Sequence, residues 1–176
     1  MSDRPILVMG ICGVGKSTIA QAIAASLGAS FIEADSYHSP EAVAWMAAGK
    51  PLTDDMRWGW LDRLGDAVNQ TQGRAVLACS ALGLAHRDRL RARTGPLDIV
   101  FLNGDRDLIA ARMNARKDHY MPVSLIDSQL AALQPPDAQA EHALWISVEM
   151  TPEQIIQTAV SRLALTEDSS TGGKTT

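Results

Sequence analysis

The sequence predicts an α/β fold in which a five-stranded parallel sheet is covered by helices on both faces. Short apolar segments alternate with helical segments along the chain, which is the pattern of parallel sheets. The first apolar segment ends at a glycine-rich turn that leads into an apolar helix. The 176 residues, 46% hydrophobic and 20% charged, suit one soluble domain with a full core. We therefore expect residues 1–166 to form a single domain.

The predicted elements follow from apolar runs and from helix start and stop signals. The strands are predicted at 6–9, 30–34, 75–78, 97–102 and 144–148. The helices are predicted at 18–27, 40–49, 57–69, 87–93, 105–115, 124–133 and 152–165. Gly28 is a stop signal and Pro40 suits a first helical turn. Residues 167–176 are rich in Ser, Thr and Gly, which predicts a disordered tail.

Charge and cysteine usage exclude some function classes. The chain carries 16 Lys and Arg against 20 Asp and Glu, a net charge of −4 that argues against a nucleic-acid partner. The apolar segment at 6–9 is too short for a signal peptide or a membrane helix, so we expect no membrane partner. Cys12 and Cys79 are expected to be reduced thiols. These features favour a cytoplasmic protein.

Residues 10–17 carry the strongest motif of the chain. They read Gly-Ile-Cys-Gly-Val-Gly-Lys-Ser and match G-x-x-x-x-G-K-[ST] at every fixed position. Glycines let backbone N–H groups surround phosphate oxygens, and the following helix directs its N-terminus at the same phosphates. The lysine supplies charge to the β- and γ-phosphates, and the serine hydroxyl is a ligand for Mg²⁺. The motif therefore predicts a P-loop NTPase fold that binds ATP and Mg²⁺ through Gly10, Gly13, Val14, Gly15, Lys16, Ser17 and Thr18.

Other P-loop classes fit the sequence poorly. A GTPase should carry an N-K-x-D motif, and the sequence has none. Asp62 and Gly65 match the D-x-x-G spelling, but they lie inside a predicted helix, so chance is the better explanation. The strand at 75–78 runs into Cys79-Ser80 rather than into the acidic residue of a motor ATPase. A compact small-molecule kinase remains.

Several further segments resemble the gluconokinase family, whose relatives include shikimate kinase and the nucleoside-monophosphate kinases. Together they extend over most of the chain. The matching segments are the P-loop, residues 34–40, residues 49–55 with Arg57, Trp60 and Leu61, residues 79–82 with Arg87, Asp88, Leu90 and Arg91, and residues 116–120 with Ser128, Gln129 and Leu133. The P-L-x-D-D and C-S-A-L segments discriminate more than the P-loop, which is generic.

The resemblance implies ATP-dependent phosphorylation of D-gluconate at its terminal hydroxyl to give 6-phosphogluconate. It also implies a mobile lid at about 116–128 and a homodimer. Two alternatives stay open at this point. One is a related kinase that acts on another sugar acid or a shikimate-like acceptor, and the other is a nucleotide-binding regulator without catalysis.

Acceptor-binding groups are predicted beside the P-loop, where ligands gather in a doubly wound sheet. Asp35, at the end of the second strand, could take the proton of the attacking hydroxyl, orient that hydroxyl, or hold Mg²⁺ through water. The alternative is a helix-capping Asp before Pro40. His38 is a candidate to hydrogen-bond the sugar acid, or a solvated loop histidine. Ser80 is expected to line the acceptor pocket.

The carboxylate of a sugar acid needs a cation, and arginine suits it because its fork binds carboxylate at two points. Arg57 and Arg87 are the candidates, with a solvated helix face as the alternative. Asp54 and Asp55 are expected to cap the helix that begins near Arg57.

Positive charge is also expected near the transferred phosphate. Arg116 is the predicted catalytic lid arginine. Arg112 is predicted to touch phosphate or adenine, or else to complete a basic helix end.

The chain departs from the family pattern at one place. After C-S-A-L the gluconokinase pattern usually continues with lysine, whereas this chain has Gly83-Leu84. His86 also stands where tyrosine is usual before Arg87. The missing cation bears on which sugar acid is preferred.

Overall fold

The computed structural model describes residues 3–48, 50, 52–115 and 123–171, with the backbone alone for Val123 and for residues 166–171. The strands are β1 (Ile6–Met9), β2 (Ser30–Glu33), β3 (Ala75–Ala78), β4 (Asp98–Asn103) and β5 (Ala143–Ser147). The helices are α1 (Lys16–Leu27), α2 (Pro40–Ala47), α3 (Asp54–Gln70), α4 (Leu84–Thr94), α5 (Arg106–Asn114), α6 (Val123–Ala132) and α7 (Pro152–Thr171). A 3₁₀ turn at Ala34–Tyr37 follows β2.

All five strands pair in parallel, in the order β2-β3-β1-β4-β5. β1 lies at the centre, with Ile6 level with Val76 of β3 and Asp98 of β4. Parallel strands end at the same edge of a sheet, so the segments that follow β1, β2 and β3 meet there. The predicted fold class is confirmed.

Two apolar layers cover the sheet, because successive side chains of a strand point to opposite faces. Ile6 and Val8 pack with α1, α5, α6 and α7 on one face. Leu7 and Met9 pack with α3 and α4 on the other face. The sheet is therefore buried on both sides, which explains the unbroken apolar runs of its strands.

Several helix starts differ from the sequence-based prediction, and two of these differences bear on the site. α1 begins at Lys16, inside the phosphate motif rather than after it. α3 begins at Asp54 because the Thr53 hydroxyl accepts a hydrogen bond from the Met56 N–H at 3.3 Å. Thr53 is thus the N-cap, and Asp54 and Asp55 lie in the first turn, where their charge favours the helix dipole.

The carboxyl-terminal boundary also differs. α7 extends to Thr171, past the predicted start of a disordered tail at residue 167. Residues 172–176 lie outside the described residues. Of the predicted lid, the part that the structure describes begins with α6 at Val123, and residues 116–122 lie outside it.

None of the helices in the described part of the chain combines the length and the apolarity that a bilayer crossing requires.

Candidate active site

The phosphate loop connects the end of β1 to the first turn of α1. Gly13 and Gly15 have φ angles of +82° and +91°, in the left-handed region that favours glycine. A Cβ atom built on Gly15 would meet no atom within 4 Å, so the space beside the loop is open. Ser17 and Thr18 are exposed in the first turn of α1. Backbone donors, a hydroxyl and an open cradle fit a nucleotide phosphate.

Lys16 carries the positive charge of this loop. Its ammonium donates a hydrogen bond to the Ile11 carbonyl at 3.0 Å, which folds the side chain back along the loop. Burial lowers the pKa of Lys16, although the nearby Cys79, Cys12 and Asp35 side chains act in the opposite direction. A desolvated cation of this kind gains from an anionic ligand, as the motif predicts.

Two helices hold the phosphate loop on its other side. The Cys12 N–H donates a short hydrogen bond of 2.6 Å to the Gln129 side chain on α6. The sulfurs of Cys12 and Met113 lie 3.9 Å apart. A Cβ atom on Gly13 would approach Met113 Cγ to 2.5 Å, so glycine allows α5 to pack against the loop. The sequence placed Gln129 only within a lid-like segment and gave no sign of this contact.

Asp35 lies in the 3₁₀ turn that follows β2, at the same edge of the sheet as the phosphate loop. Its side chain is 86% exposed, with one oxygen 3.8 Å from His38 Nε2. It does not cap α2, because the Ser39 hydroxyl accepts the capping hydrogen bond from Ala42 N–H at 3.1 Å. The capping explanation for Asp35 is therefore wrong, and its carboxylate stays available to a ligand.

His38 is not the solvated loop residue that was the alternative. Its side chain is 7% exposed and stacks on Trp60 with ring centroids 4.4 Å apart. The Trp60 indole in turn donates to the Ala34 carbonyl at 2.7 Å, which fixes the stack. Burial lowers the pKa of His38, Asp35 raises it and Arg63 lowers it. The buried Nδ1 atom has no hydrogen-bond partner within the described part of the chain.

Arg87 does not have the predicted role of a substrate ligand. Its side chain is 1% exposed and forms a two-point ion pair with Glu141, at 2.7 and 2.9 Å. The remaining terminal nitrogen donates to the Ala81 and Leu82 carbonyls, both at 3.1 Å. The guanidinium is thus occupied inside the protein, and this prediction is corrected.

The ion pair between Arg87 and Glu141 stabilises the turn at Ala81 and Leu82. Ala81 has a φ of +39°, which is costly for a residue with a side chain. Arg87 donates to the carbonyls of Ala81 and Leu82 and so holds this turn, with half-buried Ser80 next to it. Glu141, which anchors Arg87, also accepts from Arg91 at 2.9 Å. No sequence signal pointed to Glu141, since it lies in a loop before β5.

Arg57 is placed differently. It lies in the first turn of α3, its side chain is 30% exposed, and Asp54 accepts its hydrogen bond at 3.1 Å. Because one exposed carboxylate is its partner, much of the guanidinium fork is available to a ligand. Arg57 is therefore the better candidate for a substrate carboxylate.

The D-x-x-G spelling in α3 has a structural explanation. Asp62 accepts two hydrogen bonds from Arg89 on α4, at 2.7 and 2.8 Å. A Cβ atom on Gly65 would come within 2.5 Å of Arg93 Cβ, so glycine lets the two helices pack closely. Both residues contact α4, and the GTPase interpretation has no support here.

Two arginines and one cysteine complete the set of candidate residues. Arg112 is exposed in the last turn of α5, beside Met113, which contacts the phosphate loop. Arg116 lies outside the described residues. Burial raises the pKa of Cys79 to about 12, so this thiol stays protonated and is not a nucleophile.

Comparison with known proteins agrees with this arrangement. Residues 12–164 match the model of the shikimate kinase family. The gluconokinase of Gluconobacter oxydans is 38% identical over 161 residues, covering 89% of each chain. A probable gluconokinase of Schizosaccharomyces pombe is 38% identical over 157 residues, covering 84% of this chain and 81% of the yeast protein.

A solved structure extends the likeness to three dimensions. The crystal structure of a gluconokinase from Sinorhizobium meliloti superposes with a TM-score of 0.85 at 37% identity. The superposition covers 96% of this chain and 98% of that one. The chain belongs to the gluconokinase family, within the shikimate kinase-like P-loop kinases.

Proposed function

We propose that this protein transfers the γ-phosphoryl group of ATP to the terminal hydroxyl of D-gluconate, giving 6-phosphogluconate and ADP. The observation that carries the proposal is the placement of Asp35 at the same edge of the sheet as the phosphate loop, in a chain of this family. The gluconokinase names of its relatives supply the acceptor.

The phosphate loop would hold ATP through its backbone N–H groups and Lys16. The Lys16 ammonium would exchange the Ile11 carbonyl for phosphate oxygens. Ser17 would hold Mg²⁺ directly and Asp35 would hold it through water, and the metal would neutralise charge on the β- and γ-phosphates. Arg112 and the lid residue Arg116 would add positive charge near the same phosphates.

Asp35 would act on the acceptor. As the terminal hydroxyl oxygen forms its bond to the γ-phosphorus, the bond from that phosphorus to the β-bridging oxygen breaks and ADP leaves. The hydroxyl proton passes to the Asp35 carboxylate, which is exposed enough to reach a ligand. His38 supports the proposal because its buried Nδ1 has no hydrogen-bond partner among the described residues, and a sugar-acid hydroxyl could provide one. Ser80 would line the same pocket from the end of β3.

Arg57 would bind the carboxylate end of gluconate. Gluconate carries its carboxylate and its terminal hydroxyl at opposite ends of a six-carbon chain, so the two ends need separate groups. Arg57 in α3 and Asp35 after β2 belong to neighbouring elements, since the Trp60 indole of α3 donates to the Ala34 carbonyl beside Asp35. A neutral sugar would offer no anionic partner to the part of the Arg57 fork that Asp54 leaves open.

A second candidate is a kinase for another acid. The observation that favours it is Gly83-Leu84, where the family pattern usually has lysine. An ADP-release assay with gluconate, other aldonic acids, shikimate, glucose and no acceptor separates the candidates. We expect turnover with gluconate and much less with glucose. ADP release with shikimate but with no other acceptor would favour the second candidate. ATP binding without ADP release for any acceptor would favour a regulator.

We also propose that the protein works in the cytoplasm as a homodimer, as the family resemblance suggests. Its two free cysteines suit a reducing compartment. Light scattering on the purified chain tests the dimer, which predicts about twice the 18.9 kDa chain mass.

A further inference from the structure

The first turns of α3 and α4 bring His86 against Trp58, the residue that follows Arg57. The His86 ring meets the Trp58 ring edge-on, with centroids 5.6 Å apart and planes at 63°. Trp58 is the neighbour of Arg57 in the first turns of α3. Burial lowers the pKa of His86, Arg57 lowers it further, Asp54 raises it and Arg87 lowers it. The lowered pKa favours the neutral imidazole, and the Arg57 charge contributes to that preference.

The hydrogen bonding of His86 fixes which nitrogen carries the proton. Its Nδ1 accepts from the Gly83 N–H at 3.4 Å. In a neutral imidazole the other nitrogen is then the donor. Within the described residues, no hydrogen bond is formed by Nε2. His86 thus offers one N–H donor to a ligand.

The His86 ring packs closely against Gly83. A Cβ atom built on Gly83 would lie 3.3 Å from His86 Nδ1 and 3.4 Å from its Cε1. The imidazole would therefore be in tight contact with the Cβ atom of any side chain at position 83. The His86 ring therefore packs against the backbone at the position where the family pattern usually has lysine.

We propose that His86 is a specificity-determining residue whose Nε2–H binds the carboxylate end of the acceptor beside Arg57. This inference rests on the proposed phosphorylation of a sugar acid. Arg57 supplies the charge and His86 supplies a neutral donor, so the pocket holds the acid with one cation fewer than a lysine at position 83 would give. The pair selects an acceptor whose carboxylate fits between two different groups.

Two variants separate hydrogen bonding from packing. His86→Phe keeps a ring against Trp58 and removes both nitrogens, whereas His86→Gln keeps an N–H donor close to the Nε2 position. Loss of a hydrogen bond to a charged group costs roughly 10-fold in binding or more, so His86→Phe should raise KM for gluconate by about 10-fold. We expect kcat and KM for ATP to stay near the wild-type values, and His86→Gln to stay near wild type throughout.

The outcomes are distinguishable. An unchanged KM for gluconate in His86→Phe overturns the role of His86 while leaving the proposed function intact. An equal rise in KM for His86→Phe and His86→Gln also overturns it, because the donor would then not be what matters. If the wild-type protein does not phosphorylate gluconate or another aldonic acid, both proposals fail. Thermal unfolding of each variant shows whether it is folded, and loss of kcat together with stability marks a structural role and contradicts the inference.

Discussion

The phosphate side and the acceptor side of this site are built in different ways. The phosphate side comes from one continuous segment, residues 10–18, whose backbone provides most of the donors. The proposed acceptor side is gathered from the end of β2, the first turn of α3 and the connection from β3 to α4. A continuous segment can be recognised from its sequence motif. A gathered site depends on which partner each side chain finds in the fold.

Arg57 and Arg87 illustrate this difference. Both lie in the first turns of helices, and both match the family pattern. The Arg87 side chain bonds to Glu141 and two backbone carbonyls and is 1% exposed. The Arg57 side chain has Asp54 as its one hydrogen-bond partner among the described residues and is 30% exposed. One arginine therefore supports the site from within, and the other remains available to a ligand. Four substitutions test which residues support the fold and which act on the ligands.

Removal of the Glu141 carboxylate should have the largest effect. Breaking a buried ion pair by deleting one partner costs about 3–5 kcal/mol of unfolding free energy, because the Arg87 charge stays buried without compensation. We therefore predict that Glu141→Ala strongly lowers the unfolding free energy at neutral pH, measured by denaturant titration. Asp127→Ala, which breaks the exposed pair between Arg106 and Asp127, is the control and should unfold near the wild-type midpoint.

The same variant has a defined pH dependence. Burial alone would raise the pKa of Glu141, but the hydrogen bonds from Arg87 and the Asp137 N–H, with the charges of Arg87 and Arg91, hold it below its usual range. The stabilisation is present above the unfolded-state pKa and is lost as the pH falls through the folded-state pKa. The difference between wild type and Glu141→Ala should thus shrink in acid. A constant difference would show that the charge is not responsible.

Lys16→Ala tests the phosphate side. Loss of a charge contact to the transferred group commonly costs about 10²- to 10³-fold in kcat. We predict a loss of that size in ADP release, with a thermal unfolding midpoint near that of the wild type, because the Lys16 ammonium bonds only to the Ile11 carbonyl in the described structure. Turnover close to wild type in a folded Lys16→Ala protein would remove the basis for the nucleotide site.

Asp35→Asn tests the residue that is proposed to act on the acceptor next to the phosphate side. The amide keeps the shape of the side chain but removes its charge and basicity, so kcat should fall by about 10²-fold, with little change in ATP affinity. Steady-state kinetics and equilibrium titration with ATP measure the two quantities separately. An equal loss of ATP binding and of turnover would contradict the role toward the acceptor and leave Asp35 only the Mg²⁺ role.

Arg57→Lys should have the smallest effect of the four. An ammonium keeps the charge but cannot reproduce the two-point fork, so KM for gluconate should rise by about 10-fold with kcat nearly unchanged. Arg89→Lys is the matched control, because Arg89 pairs with Asp62 on the outer faces of α3 and α4. If both variants behave alike, or if Arg57→Lys leaves KM unchanged, Arg57 does not bind the carboxylate.

The sequence predicted the sheet well because each buried strand is a short run of consecutive apolar residues. The strands at 6–9 and 75–78 agree with β1 and β3 at both ends, since their apolar runs are bounded by turn residues. Helix starts were less accurate: α3 begins at Asp54 rather than at residue 57, because Thr53 captures the Met56 N–H. A capping contact of this kind follows from geometry that a run of residue types does not specify.

The site residues that sequence reasoning missed are those that act through distant partners. Glu141 lies 54 positions from Arg87, and Gln129 lies 117 positions from Cys12. Neither belongs to a motif with its partner, so no spacing could relate them. Gly83 and His86 are departures that the sequence shows, but the contact between the Gly83 backbone and the imidazole follows only from the structure.

The position of the transferred phosphate in the product tests the central claim most directly. The proposed reaction places the acid at one end of the acceptor and the reacting hydroxyl at the other, so incubation with ATP, Mg²⁺ and ¹³C-labelled gluconate should give a single phosphate ester at carbon 6. Phosphorus-coupled ¹³C NMR reads that position, with the Lys16→Ala protein as the control. An ester at another carbon, or ATP hydrolysis without ester formation, would contradict it.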